Sequence, residues 1–441
     1  MFSMPEIRLN CNRDWKINFD GGDLSSDAGL LLFKEFIHRF GVQTMLVNCF
    51  KTTDTASYRV HRDDTNLLQM ILQIVSGYFT DDCADELAHE PVMTAILGKE
   101  RLASQPTLSR FFQRMDDTTL NQFAEIARIL RRRVYSVEKP EQILLDLDST
   151  LCPTYGKQEG SAFNYHYQAE GYHPLLCFDG LTGDLLKAEL RNGSMYCSKG
   201  AADFLKPLLV EYQEYYPEIP LYLRGDSGFA AGELYDLCEE QDVHYAIRLK
   251  QNPVLMSMAK ELDDLLMQKI GTNLMDYAVV YGEFTYRAKT WAHERRVVCK
   301  IEKHDSQMIP MHTFIVTNMA LPMQSVVDFY CNRGIMENFI KECKSGFDMA
   351  AVSSHTEKVN ANRVQLHALA YNLFNWFRRL ALPVKMRKLR IDAIRIKLLK
   401  IAAKVTHSGR YLHFKLCSSC AYKAEYWETA QNIAKLRPLL T

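Results

Sequence analysis

Three carboxylates are placed where a chain could hold divalent metal. Asp148 ends the apolar run ILLDLD, Asp226 follows a second apolar run in LRGDSGF, and Glu337 lies within YCNRGIMENFIKECK. Small residues follow Asp148 and Asp226, so the backbone can turn there and leave each acid at a sheet edge. Two strand-borne acids and one helix-borne acid can hold two cations about 3.5–4 Å apart. An all-oxygen donor set suits Mg²⁺ or Mn²⁺ rather than Zn²⁺. The chemistry of such a pair is phosphoryl transfer, one ion activating the attacking hydroxyl and the other stabilising the leaving oxygen. Asp146 shares the strand face with Asp148, because side chains alternate, and is the rival first acid. Taken singly, each acid is equally a turn former or a helix cap.

In the stretch Tyr330–Lys344, steps of three, four and seven residues put Tyr330, Arg333, Glu337 and Lys344 near one helical face. One reading is a surface ion-pair ladder, common and weak. The other is a metal-binding carboxylate flanked by cations that grip phosphate. Glu342 lies five residues beyond Glu337, well round the helix, and is left outside the site. Cys417-x-x-Cys420 with His413 falls short of a four-ligand zinc set. His166 and His173 flank Tyr172 near the first acid. They read as packing or phosphate contacts, since a metal-activated hydroxyl makes a protein base unnecessary. No GxxxxGK[ST] loop points to ATP.

The elements that must position these residues follow from periodicity. Residues 1–136 read as mostly helical, with a helix through DAGLLLFKEFIHRF capped by Ser25 or Ser26 and another started by Ser104-Gln-Pro-Thr107, where Thr107 can cap. SQPTLSRFF reads either as the turn and second helix of a DNA reader or as a plain helical hairpin. Arg131–Arg133 read as a solvated helix end. After Pro140 the order is three strands, helix, strand, helix, strand: a mixed sheet with Asp148 and Asp226 at strand carboxyl ends. Residues 251–312 break the pattern as a helix and short alternating strands, a β-rich insertion. The core resumes over 313–350, and 351–441 is a basic helical region.

The 441 residues carry 53 cations and 53 anions, for a net charge of zero. The charge is unevenly placed: Arg378–Lys415 holds twelve Lys or Arg and one acid, Asp392. That asymmetry predicts a localised polyanion-binding surface. With 47% hydrophobic residues and no long uncharged apolar run, the chain reads as globular without a membrane span. The first residues lack the apolar core of a signal peptide, and twelve scattered cysteines read as reduced thiols, hence a cytoplasmic protein.

LDLDST, YGKQEGSAFNYHY, LRGDSGF and Tyr330-x2-Arg333-x3-Glu337-x6-Lys344 together resemble the DDE transposases of bacterial insertion sequences, in the branch with a Y-R-E-K signature. The opening NFDGGDLSSDAGLLL and the close LAYNLFNWFRRLALP extend the resemblance toward both ends. It implies a ribonuclease-H-like mixed α/β core interrupted by the β insertion. It implies Asp148, Asp226 and Glu337 as the catalytic, metal-binding triad for two Mg²⁺ or Mn²⁺ ions, and Asp148 over Asp146 because Ser149 and Thr150 follow. Asp146 is then a supporting acid. Tyr330, Arg333 and Lys344 are implied to hold DNA phosphates. Trp291 is implied to stack on a flipped base, or else is insertion core. The partners implied are double-stranded DNA, at transposon ends and target, and a second copy of the chain on that DNA. The enzyme would cut and paste an insertion sequence in the cytoplasm, at the nucleoid. The alternatives left standing are a metal-dependent nuclease of the same fold and a domesticated DNA-binding protein; a carboxylate-pair glycosidase fits the basic C-terminal region poorly.

Overall fold

The computed structural model describes residues 6–56, 58–271, 276–305 and 307–440. The reading of the first residues as lacking a leader falls partly outside them. The chain forms two compact units. One comprises Glu138–Lys344 with Met349–Val364, and the other Met1–Val137 with Ser345–Asp348 and Gln365–Thr441.

The first unit is built on an eight-stranded sheet. Its strands are β1 (Ile143–Ser149), β2 (Leu175–Asp179), β3 (Leu185–Glu189), β4 (Leu221–Gly225), β5 (His244–Leu249), β6 (Ala278–Tyr286), β7 (Arg295–Lys303) and β8 (Met311–Thr317). The order is β6-β7-β8-β5-β4-β1-β2-β3. β1, β2 and β3 form an antiparallel meander, while β4 and β5 run parallel to β1. That is the ribonuclease-H-like order 3-2-1-4-5. The parallel step from β4 to β5 is made by helix Gly232–Glu240, as parallel neighbours require a crossover. The inner strands read as near-continuous apolar runs because both faces are covered: β1 is buried at every position except Asp148.

The insertion does not form a sheet of its own. β8 pairs antiparallel with β5, and β7 and β6 continue outward, so the insertion lengthens the core sheet. Helix Lys260–Ile270 lies over β6 closely enough that a Cβ at Gly282 would stand 2.4 Å from Leu262. Helix Met323–Cys331 packs Val326 and Val327 on Ala246, Val298 and Ile315, with Tyr330 against the same cluster. Beyond it the expected single helix is broken: a 3₁₀ turn covers Asn332–Ile335, an α-helix Met336–Lys341 and a π turn Glu342–Gly346.

The second unit contains both the N-terminal helices and the C-terminal region, which the sequence presents as separate. Phe33 and Phe36 of helix Leu30–Arg39 meet Phe377 edge to face, with centroids 5.7 and 5.5 Å apart. At the start of that helix Gly29 lets the backbone of Leu398–Leu399 come close: a Cβ there would lie 1.9 Å from the Leu398 carbonyl. Ser25 does not cap that helix, because Leu24–Ser25 is a strand paired with Lys404 and Ala403. Ser104, not Thr107, stands at the N-cap of helix Gln105–Gln113. Arg131–Arg133 are not a solvated end either. Arg131 is 5% exposed, and an Arg133 Nη1–H donates to the Phe40 carbonyl at 2.7 Å. The C-terminal region is not wholly helical, since residues 403–416 form a β-hairpin. Among the described residues no helix is long and apolar enough to cross a membrane.

Candidate active site

The site grows from the alternation of LDLD on β1 and LRGD on β4. The two strands are parallel neighbours with Asp146 opposite Arg224 and Leu147 opposite Gly225. Asp148 is the next residue of β1 and Asp226 the first beyond β4, close enough for the Asp226 charge to act on Asp148. Asp146 is fully buried and takes a bidentate pair of bonds from Arg224, both at 2.7 Å. Arg224 also donates to the Phe329 carbonyl at 2.8 Å and lies over the Phe329 ring. Asp146 is therefore committed to an internal ion pair beneath helix Met323–Cys331.

Two residues further on, Asp148 reaches the end of the strand. Its side chain is 19% exposed and meets Arg333 at 3.0 Å, while Oδ1 accepts the Ser149 N–H at 2.8 Å. Burial pushes the Asp148 carboxyl above its ordinary range, Arg333 pulls it down, and the nearby Asp226 charge adds to the upward push. Asp226 caps the 3₁₀ turn Ser227–Phe229, its Oδ1 accepting the Gly228 N–H at 2.8 Å. Burial works against the Arg333 charge, but Asp148 and Asp226 outweigh it and raise the Arg333 pKa. Arg333 Nη2 also donates to the Leu147 carbonyl at 2.9 Å, and its buried Nε has no partner among the described residues. Lys344 Nζ donates to Thr150 Oγ1 at 3.1 Å and to the Leu151 carbonyl at 2.8 Å. Two cations thus bracket the carboxyl end of β1. Tyr330 is half-buried, and its hydroxyl is pushed up by burial, with Arg333 opposing and Asp226 adding.

Glu337 is not brought to this cluster. It is 64% exposed, and its nearest cation is Lys341 at 3.9 Å. The buried acid of that stretch is Glu342, which the α-helical spacing places outside the site. The 3₁₀ and π turns change the angular step per residue, so Arg333 and Lys344 face the sheet while Glu337 faces outward. Trp291 is not displayed for a base in this structure. It is 4% exposed, edge-to-face with Tyr235 and Tyr286 at 5.1 and 5.4 Å, and beneath Arg295.

Three loop residues missed from the sequence adjoin the acids. The Tyr167 hydroxyl donates to the Ser149 carbonyl at 3.3 Å; burial pushes it up to about 12, with Asp148 adding. Cys197 Sγ lies 3.1 Å from Ser149 Oγ, and Tyr196 stands exposed beside Cys197 and Asp226. His173 is buried with Nδ1 bonded to the Met195 carbonyl at 2.8 Å, a packing role. Arg224 had a signal in the sequence: in LRGD it has the parity of Asp226, as Asp146 has that of Asp148. Tyr167 had none beyond lying in YGKQEGSAFNYHY, and Tyr196 and Cys197 had none.

The donor chemistry fits a hard cation only in part. Asp148 and Asp226 converge as oxygen donors, with an Asp226 oxygen that takes no bond from Gly228; the third acid stands away. Among the described residues Asp236, Glu239 and His293 are the one group of three with ligand atoms within 4.8 Å. Arg295 already donates to both of those acids, and the three groups form an ion-pair cluster.

A family model described as transposase DDE domain group 1 matches residues 8–438. Among solved structures the chain is similar to a piggyBac transposase in a synaptic complex with hairpin DNA. The identity is 11%, over 85% of this chain and 80% of that one, with a TM-score of 0.42, too loose a likeness to bear on the site. No curated protein matches.

Proposed function

The chain belongs to the DDE transposase family, and from that premise we propose that it cuts DNA at the ends of an insertion sequence and joins the freed ends to target DNA. The observation that carries the reading is the meeting of Asp148, Asp226 and Arg333 at the carboxyl ends of β1 and β4. Asp148 and Asp226 would hold divalent metal, Mg²⁺ or Mn²⁺ in two ions, and Glu337 would complete the set on turning inward. When bound, the metal supplies Lewis-acid activation of the attacking oxygen and charge stabilisation at the leaving oxygen. Arg333 offers a phosphate the positive charge of its guanidinium beside Asp148, and Lys344 offers a point charge on the far side of the strand end. Tyr330 walls the site through its packing on the sheet.

Two reactions follow at one site. Water attacks the phosphorus at the transposon end, and the 3′-oxygen leaves as a hydroxyl. That hydroxyl then attacks a phosphodiester of the target, breaking one P–O bond as another forms. Glu337 must turn inward for this, and the irregular turns on either side of Met336–Lys341 are the joints that would permit it; such turns inside helices recur at functional sites. The N-terminal helices and the basic C-terminal region bind the inverted repeats, and a dimer on DNA holds two ends together.

The discriminating experiment supplies precleaved transposon ends and a supercoiled target in Mg²⁺. Joined products, absent with EDTA, are expected. A protein that nicks the uncut ends but never joins them would be a nuclease of this fold instead.

A further inference from the structure

From residue 393 to residue 424 the chain carries no acid. Within that span, strands Ala403–Ser408 and Tyr411–Leu416 form an antiparallel hairpin. Ser408 pairs with Tyr411, so the turn is the two residues Gly409-Arg410. Gly409 has φ +59 and Arg410 does not have positive φ, the pattern of a II′ turn that twists with its strands.

The hairpin is two-faced. Alternation and register put Ala403, Val405, His407, Leu412, Phe414 and Leu416 on one side, where Ala403 and Val405 are buried and His407, near the turn, is exposed. The other side carries Lys404, Thr406, Ser408, Tyr411, His413 and Lys415, every one with a hydrogen-bond donor. Lys404 and Lys415 are direct cross-strand partners, and both are exposed. Like charges placed opposite one another weaken a sheet. No ion pair relieves either lysine among the described residues, nor Arg410 at the tip, whose Nη2 donates to the Tyr411 hydroxyl at 2.9 Å. Strand Ala403–Ser408 is held from behind by Leu24–Ser25, which leaves Tyr411–Leu416 as the free edge.

We propose that this hairpin is a β-ribbon that enters a groove of duplex DNA, with Lys404 and Lys415 on phosphates and Arg410 leading at the tip. It rests on the transposase reading, to which it adds the element and the manner of binding. Two strands about 4.8 Å apart fit a major groove about 12 Å wide, which admits a two-stranded ribbon. The uncompensated charge that disfavours folding is then matched by the ligand.

The test uses a fluorescein-labelled mixed-sequence duplex of about three helical turns and the full chain, titrated across a range of salt. The Lys404→Ala/Arg410→Ala/Lys415→Ala variant should bind about tenfold more weakly, and the slope of log K against log salt should fall by roughly 2 to 3. Lys404→Arg/Lys415→Arg should bind like the parent. Should the triple variant melt early, Arg410→Ala alone, outside the strand ladder, should lower the slope by about one. An unchanged slope in folded variants would overturn the ribbon while leaving the transposase reading intact. A parent chain that binds no duplex at any salt would remove both.

Discussion

Two residues of strand separate an internal brace from the acid proposed to hold metal. Asp146 and Asp148 share a face of β1, but Asp146 lies under helix Met323–Cys331 with Arg224, and Asp148 emerges beyond it. Removing one partner of a buried pair strands the other charge, at a cost of about 3–5 kcal/mol. Asp146→Ala should therefore lower stability by that order in urea unfolding; a change near zero would contradict the brace. His173 gives a second check. Burial lowers its pKa, so the folded chain takes up the proton less readily than the unfolded one, which titrates near 6.5. Its contribution is complete above about pH 6.5 and is lost as pH falls through the lower folded value. The urea midpoint should fall between about pH 7 and pH 5, and His173→Gln should flatten part of that slope. At this scale part was legible: alternation puts Asp146 and Asp148 on one face of LDLD and sets Asp226 at the end of a second strand, while Arg224 carried only a parity that does not name Asp146 as its partner. Tyr167 and Cys197 were not, because loops long in sequence bring them in.

The elements explain where sequence spacing misled. An α-helical wheel places Arg333, Glu337 and Lys344 together, but a 3₁₀ turn and a π turn differ from the α-helix by one step in hydrogen bonding, which composition does not encode. Arg333 and Lys344 reach the sheet, and Glu337 does not. The insertion was legible as strands from its alternation. Its attachment to β5 was not, since pairing partners far apart in sequence leave no periodic trace. Trp291 follows from that attachment: it fills the space between helix Gly232–Glu240 and the insertion, ringed by Tyr235, Tyr286 and Arg295. Trp291→Ala should destabilise the protein by about 3–5 kcal/mol. A fully stable Trp291→Ala chain with a specific defect in DNA processing would restore the base-stacking role.

For the molecule as a whole, zero net charge hides the separation of cations from acids that a polyanion partner demands. DNA binding should weaken steeply with added salt, measured on the full chain. The family membership implies a DNA-cleaving enzyme that uses divalent metal, and the site proposed for it lies where Asp148 and Asp226 end β1 and β4. The exposed Glu337 is the demanding member of the set. The most direct measurement is nicking of a duplex carrying the element's end in Mg²⁺, comparing the parent chain with Asp226→Ala and Glu337→Ala. Each substitution should slow nicking by about a thousandfold or more, roughly 4 kcal/mol of barrier. Nicking at the parental rate by either variant would contradict the site.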